Sequence, residues 1–180
     1  MSDSTVREAI ERLSVAISAD PSKARAKSAA TARLTEGLKC EVTGPRSERV
    51  LTDMPPAIGG SASAPNPGWL LRAAMASCAA TVIATRAAKL GIGLSTLEVT
   101  VESESDQRGL LGLDDSVSAG LGAWRTKVTI SGSAEPHTLR ELVAWADAHS
   151  PVGCTVRRAS RVLPRYRCSV SMQAPSAISM

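Results

Sequence analysis

The chain has 180 residues, of which 43% are hydrophobic and 21% charged, and its formal net charge is +4 at pH 7. This composition excludes wholesale disorder, and the length suits about one domain with a sizeable core. Because there is no Phe and only one Tyr, the core has to be filled by Ala, Val, Leu and Ile.

The N-terminal segment predicts a short amphipathic helix. Thr5 and Glu8 have the spacing of a capping box, and apolar residues follow at helical intervals as far as Ile17. Asp20-Pro21 closes the pattern, so we assign residues 1–23 to an N-terminal helix.

Three β-like segments and a loop follow this helix. The first two segments flank a turn at Glu36-Gly37, and the loop is rich in Pro and Gly. The segments lie at 29–34, 38–42 and 49–52, and the loop at 55–67.

A central helix is predicted from Asn66 onward, with Asn66 as its N-cap and Pro67 in the first helical position. No charged residue occurs between Arg72 and Arg86, and the lack of a charged face is typical of a buried helix. Gly91 marks its end. The uncharged stretch is shorter than the ~20 residues that a bilayer requires, so we expect no membrane contact.

The second half of the chain completes an α+β pattern. Two segments alternate strictly between apolar and polar residues; one carries acidic and the other basic outer positions, which favours antiparallel neighbours. A long loop joins them. Two helices follow, the second opened by Ser150-Pro151, and then a last strand. The strands are predicted at 96–104, 124–131 and 162–170, the loop at 106–122 and the first helix at 136–148. Segregated strands and helices predict an α+β fold.

The residue inventory argues against a metal site and a secreted protein. The four cysteines form no CxxC pair, and only two histidines could assist them. The N-terminus lacks the basic and then apolar layout of a signal peptide. We therefore expect no metal, no cofactor, no structural disulfide and a cytoplasmic location.

One basic cluster near the C-terminus stands out from the scattered charges. It contains a single aromatic, Tyr166, and no module that reads nucleic acid. We interpret it as a solvated face and expect no nucleic-acid partner. Its members are Arg157, Arg158, Arg161, Arg165 and Arg167.

Cys78, in the middle of the predicted central helix, is the candidate for chemistry. By position alone it is a small buried hydrophobe, as free cysteines often are. Its surroundings, however, contain several characteristic stretches in a defined order: Gly59-Gly60, Pro65-Asn66-Pro67, Leu70-Leu71, Ala73-Ala74-Met75-Ala76-Ser77-Cys78-Ala79, Ala88-Lys89-Leu90-Gly91-Ile92, Leu97-Glu98-Val99-Thr100-Val101-Glu102 and His149-Ser150-Pro151-Val152. Together these stretches resemble the signatures of the OsmC/Ohr family, over roughly residues 29–170.

The resemblance implies a fold and a reaction. Members are intertwined homodimers in which curved antiparallel sheets wrap two long central helices. The active ones are thiol peroxidases that reduce organic hydroperoxides. Their central cysteine becomes a sulfenic acid, a second cysteine condenses with it, and an external dithiol, often a lipoyl group, restores the enzyme.

Carried over to this chain, the family pattern is incomplete. Cys78 matches the reactive cysteine, but Ser150 occupies the position of the second cysteine. Gly68 occupies that of a glutamate that follows Asn-Pro. Arg33 is the candidate for the family's arginine, and Arg72, on another face of the helix, is assigned a structural role. The family-like domain is taken to span residues 24–175, with a tail at 176–180.

Cys154 leaves the mechanism open, because it lies one helical turn after Ser150. It is either a displaced partner for Cys78 or a buried small residue, whereas Cys40 and Cys168 match no functional position. Three hypotheses remain: a hydroperoxide-reducing enzyme that uses Cys78, a relative that binds a small apolar or acyl ligand, and a structural dimer.

Overall fold

A computed structural model describes residues 3–158 of the chain. The predicted strand at 162–170, the tail at 176–180, Cys168 and most of the basic cluster lie outside the described residues. The helices are α1 Asp3–Ala19, α2 Pro67–Leu90, α3 Gln107–Leu110, α4 Pro136–His149 and α5 Pro151–Arg157. The strands are β1 Thr31–Glu36, β2 Lys39–Thr43, β3 Arg49–Thr52, β4 Leu94–Glu104 and β5 Gly122–Gly132.

These elements form an α+β fold, as predicted. Strands β1, β2 and β3 make one antiparallel sheet, and β4 and β5 make a second. Two short 3₁₀ helices interrupt the connections, at Pro21–Ala24 and Pro56–Ile58.

Two elements differ from the sequence prediction. Helix α1 begins at Asp3 rather than at a cap on Thr5. The predicted loop at 106–122 contains one helical turn, α3, because the Asp106 carboxylate accepts the backbone N–H of Arg108 and pairs with its guanidinium. A single Asp can nucleate a turn in this way without any apolar periodicity.

The pairing of β4 with β5 follows the charge pattern of the sequence. Glu102 lies opposite Arg125 in the register, and the Arg125 guanidinium binds Glu104 at 2.6 Å. The other face packs on the core through Leu97, Val99, Val128 and Ile130.

The core lies where this sheet meets α2 and α4. Ile83 and Ala87 of α2 are each 1% exposed. They pack against Leu139, Leu142 and Ala146 of α4, and the alanines allow the two helices to approach closely. Burying one such Ile side chain contributes about 1.5–3 kcal/mol.

Helix α1 caps the far end of α2. The Arg7 Nε donates to the Ala88 carbonyl at 2.9 Å, so a cation sits beside the negative end of the helix dipole. Gly91 ends α2 in a left-handed conformation, with φ of 73°, and an added Cβ there would lie 2.5 Å from the Arg7 guanidinium. The glycine therefore permits both the turn and the contact.

The N-terminal half of α2 is less covered than its sequence predicts. Within the described residues only Ile83, Ala87 and Ala88 of α2 are buried, whereas Trp69 is 50% and Leu71 39% exposed. By length and composition the helix could also cross a membrane, a property that core helices of soluble proteins share. Within the described residues it packs against α1, α4, α5 and β4.

The three-stranded sheet is the most exposed part of the fold. Every residue of β1 is exposed, including Leu34 at 63%. Among the described elements, none outside this sheet makes more than a marginal contact with it. Three strands need a covered apolar face to be stable, and residues 3–158 of one chain do not supply that cover.

Asp53 organises the loop that leads into α2. Its side chain is buried, with the residue 2% exposed, and one carboxylate oxygen accepts hydrogen bonds from the N–H and hydroxyl groups of both Ser61 and Ser63. The other oxygen accepts from the Met54 N–H. The hydroxyl of Ser61 and then the N–H of Ser63 hold the pKa of Asp53 well below its usual range. At Gly60 an added Cβ would lie 1.9 Å from the Met54 carbonyl oxygen, so the loop closes only over a glycine.

We predict that Asp53→Asn lowers the melting temperature at neutral pH, because an amide accepts these bonds less strongly than a carboxylate. A carboxylate whose pKa is lower in the folded than in the unfolded protein stabilises the fold fully at pH values above its unfolded pKa, which is about 4. Its contribution to the free energy of unfolding falls as the pH drops below that value. The difference from the unsubstituted protein should therefore narrow below about pH 4. Thermal unfolding followed by circular dichroism at several pH values tests this.

The exposed Asp115→Asn is the control for this prediction and should leave the melting temperature nearly unchanged. A difference between Asp53→Asn and the unsubstituted protein that stayed constant with pH would contradict the assigned role of the carboxylate.

Candidate functional site

Cys78 and Ser150, 72 positions apart, are brought together where α2 meets α5. The Ser150 hydroxyl donates a hydrogen bond to the Cys78 sulfur, with an Oγ–Sγ distance of 3.2 Å. Ser150 is 2% exposed, and Cys78 is half-buried. The sulfur thus lies beside an ordered donor at a partly accessible place.

The position of the hydroxyl follows from its role as the N-cap of α5. Ser150 Oγ accepts the backbone N–H of Gly153 at 3.2 Å, and Pro151 occupies the first helical position. A hydroxyl has one proton and two lone pairs, so it can accept from Gly153 while donating to the sulfur. Gly153 is buried, and an added Cβ would lie 3.2 Å from that oxygen.

A donor aimed at sulfur favours thiol chemistry. A hydroxyl donor can serve either form of the sulfur, and hydrogen bonds to a charged acceptor are the stronger ones. The thiolate is the nucleophilic form. The pair can therefore present a reactive sulfur and hold it in a fixed direction.

A stack of side chains anchors the residue before Ser150. The ring of His149 lies parallel to Trp145 of α4, with the ring centroids 4.0 Å apart, and Arg86 of α2 lies 4.4 Å from the centre of Trp145. His149 Nδ1 also lies 2.7 Å from the Trp145 carbonyl oxygen. The stack connects α4 to α2 next to the Cys78–Ser150 pair. Sequence analysis missed it, although the i, i+4 spacing of an aromatic and a histidine on one helix was visible.

Cys154 lies in a different environment from Cys78. Its sulfur donates to the Ala148 carbonyl at 3.3 Å and accepts from Arg157 at 3.5 Å. The same guanidinium binds Asp147 at 2.8 Å. Its bonds to Asp147 and then to Cys154 raise the pKa of Arg157 above its usual value. The sulfur of Cys154 thus contacts the end of α4.

The remaining candidates lie elsewhere. Arg33 is exposed on β1, opposite Glu41, and is not brought to Cys78 within the described chain. Gly68 and Arg72 lie in the first turns of α2, where Arg72 donates to the Ser103 hydroxyl of β4 at 2.9 Å. Cys40 is half-buried in β2. No group of three His, Cys, Asp or Glu side chains in residues 3–158 is arranged to hold a metal.

The chain is similar to known proteins in sequence pattern and in fold. Residues 60–163 match the sequence model of a family described as OsmC-like protein. No curated protein matches the chain significantly.

Among solved structures, one similar fold is an organic hydroperoxide resistance protein, OsmC, from Legionella pneumophila; it is 22% identical, with a TM-score of 0.58, over 73% of this chain and 90% of that one. An OsmC-like protein from Mycoplasma pneumoniae is 16% identical, with a TM-score of 0.62, over 73% and 88% of the two chains. An OsmC-like protein of unknown function from Vibrio cholerae is 13% identical, with a TM-score of 0.58, over 73% and 94%. At these identities the likeness concerns the fold.

We predict that Ser150→Ala slows the alkylation of Cys78 by iodoacetamide roughly tenfold near neutral pH. The substitution removes the hydroxyl that an attacking thiolate would have as its donor, and a hydrogen bond to a charged group contributes about 1.5–3 kcal/mol. The rate is measured by mass spectrometry of the peptide that contains Cys78.

Cys154→Ser is the matched control, because it changes the other sulfur near α5 and should leave the alkylation rate of Cys78 unchanged. Loss of the helix cap in Ser150→Ala also costs about 1 kcal/mol of stability, so circular dichroism must first confirm that the variant is folded. An unchanged alkylation rate of Cys78 in the folded Ser150→Ala variant would contradict the role of the Ser150 hydroxyl as a hydrogen-bond donor.

Proposed function

The chain belongs to the OsmC-like family, and from that membership we propose that it is a thiol peroxidase that reduces organic hydroperoxides through Cys78. The observation that carries the proposal is the hydrogen bond from the buried Ser150 hydroxyl to the Cys78 sulfur. The similar fold of the Legionella protein, which is described as an organic hydroperoxide resistance protein, supports the choice of substrate.

In the proposed reaction the Cys78 thiolate attacks one peroxide oxygen and the O–O bond breaks. The sulfur is oxidised by two electrons to a sulfenic acid, and the departing alkoxide takes a proton and leaves as an alcohol. Ser150 holds the thiolate before attack. Its hydroxyl remains beside the sulfur afterwards and can bond to the new S–OH group.

The return step requires a thiol from outside the Cys78–Ser150 pair. Ser150 cannot form a disulfide, and the sulfur of Cys154 contacts Ala148 and Arg157. An external dithiol, such as a lipoyl group, displaces water from the sulfenic acid to give a mixed disulfide. Its second thiol then releases Cys78 as a thiol. A supply of such thiols suits a reducing, cytoplasmic location.

We also propose that the protein is a homodimer. The exposed sheet of β1, β2 and β3 and the exposed Trp69 and Leu71 of α2 are apolar surfaces that a second copy can cover. In such a dimer, Arg33 on the exposed sheet of one copy is the candidate cation for the thiolate of the other.

We predict that sedimentation at micromolar concentration shows a dimer. Leu34→Glu, in the exposed sheet, should shift the population towards monomer, because it places a charge in the covered face. Leu113→Glu, which changes an equally exposed leucine in the β4–β5 connection, is the control. A stable, folded monomer of the unsubstituted protein would contradict the dimer.

We predict that Cys78→Ser abolishes the consumption of cumene hydroperoxide with a dithiol reductant, because it removes the nucleophile. Cys40→Ser and Cys168→Ser should retain activity. Peroxide in excess should convert Cys78 rapidly to sulfinic acid, because Ser150 cannot form a disulfide with the sulfenic acid and the Cys154 sulfur contacts Ala148 and Arg157. A coupled assay measures the turnover, and mass spectrometry measures the oxidation state of each cysteine.

Restoring the family pattern provides the complementary test. Ser150→Cys together with Gly68→Glu should raise dithiol-dependent turnover and protect Cys78 from over-oxidation. A Cys78–Cys154 disulfide forming in high yield in the unsubstituted protein would overturn the external-thiol step. Full activity in Cys78→Ser would overturn the peroxidase proposal itself.

A further inference from the structure

A second concave site lies at the beginning of α2, away from the contact of Cys78 with α5. It is a cavity of about 390 Å³ between the first turns of α2, the loop after Asp53 and the connection from β4 to β5. This volume falls within the range of small-molecule sites. Most of its wall is apolar, with Met54, Ile58, Leu110 and Leu121 among the lining side chains.

One cation, Arg72, faces this cavity without a carboxylate of its own. The side chain is half-buried, and it donates a hydrogen bond to the neutral hydroxyl of Ser103, at 2.9 Å. It forms no salt bridge with any residue from 3 to 158. The acidic residue that also lines the cavity, Asp106, binds the guanidinium of Arg108 at 2.6 Å.

A partly desolvated guanidinium with a neutral partner favours an anion. Removing a charge from water costs free energy that an opposite charge offsets. Among anions, a carboxylate matches the planar fork of arginine and can accept two parallel hydrogen bonds. The apolar wall, in turn, suits a hydrocarbon group attached to that carboxylate.

Gly68 leaves room for such a ligand. An added Cβ at this position would lie 3.8 Å from Leu121 and 3.9 Å from the Arg72 guanidinium, and its nearest neighbour would be Asn66 Oδ1 at 3.3 Å. A side chain is therefore tolerated by the backbone. A side chain larger than that of alanine would extend beside the Arg72 guanidinium and reduce the volume of the cavity.

We propose that this cavity binds a small amphiphilic carboxylate, with the carboxylate on Arg72 and the alkyl or aryl group against Ile58, Leu110 and Leu121. Gly68, at the position of the family's glutamate, lines the cavity, but Cys78 does not line it and the binding involves no covalent step. Binding therefore does not depend on the proposed peroxidase activity, and a Cys78→Ser protein should bind as well as the unsubstituted one.

Isothermal titration calorimetry with sodium octanoate tests the proposal, with octanamide as the neutral probe of similar shape. In the Cys78→Ser background, octanoate should bind at least about tenfold more tightly than octanamide, since the difference is a charge-assisted bidentate contact. Arg72→Gln should remove that difference, and Arg72→Lys should retain part of it. Arg140→Gln is the control, because it removes an exposed charge beside a different groove, between β5 and α4.

Gly68→Leu provides a second test that leaves the arginine in place. It should weaken octanoate binding at least tenfold while circular dichroism shows a native fold. The absence of saturable octanoate binding would overturn the proposal. So would a folded Arg72→Gln protein that binds octanoate as tightly as the Cys78→Ser background does. A Gly68→Leu protein that binds octanoate normally but changes its association state would overturn it as well. The last would place a second copy of the chain in the cavity.

Discussion

The absence of charge between Arg72 and Arg86 in α2 is the constraint on which the rest of the structure depends. Because this stretch consists largely of small residues, α4 and β4 can approach the helix closely and form the core around Ile83 and Ala87. The same approach carries α5, which follows α4 after one residue, to the level of Cys78. A large or charged residue in that stretch would push the helices apart. Cys78 and Ser150 would then no longer be in contact.

The beginnings of α2 and α5 and the pairing of β4 with β5 were predictable because their signals are local. Asn66-Pro67 and Ser150-Pro151 begin helices as caps and first-turn prolines do, and the charge pattern of the two alternating segments gave their antiparallel pairing. Cap, periodicity and cross-strand charge each depend on a few neighbouring residues. Membership of the OsmC-like family, predicted from motifs around Cys78, is confirmed by the match over residues 60–163.

The directions of side chains at the junctions were harder to predict. Helical spacing relates Cys154 to Ser150, and the structure adds that Ser150 is the cap, with an extended backbone, and that the Cys154 sulfur contacts Ala148 and Arg157. The spacing rule holds only among residues that are all helical. The cavity at Arg72 was likewise invisible, because it needs α2, the Asp53 loop and the β4–β5 connection in place at once.

The separation of 72 positions between Cys78 and Ser150 has a consequence for folding. The hairpins of β1, β2 and β3 close within short stretches of chain, whereas the hydroxyl reaches the sulfur only after α2, the second sheet and α4 have assembled. A contact between residues that are distant in sequence costs more chain entropy, because a longer segment has to be closed to form it. A chain in which α5 has not yet packed on α2 thus carries Cys78 without the Ser150 donor. The surroundings of the Cys78 sulfur therefore depend on the contact between these two helices.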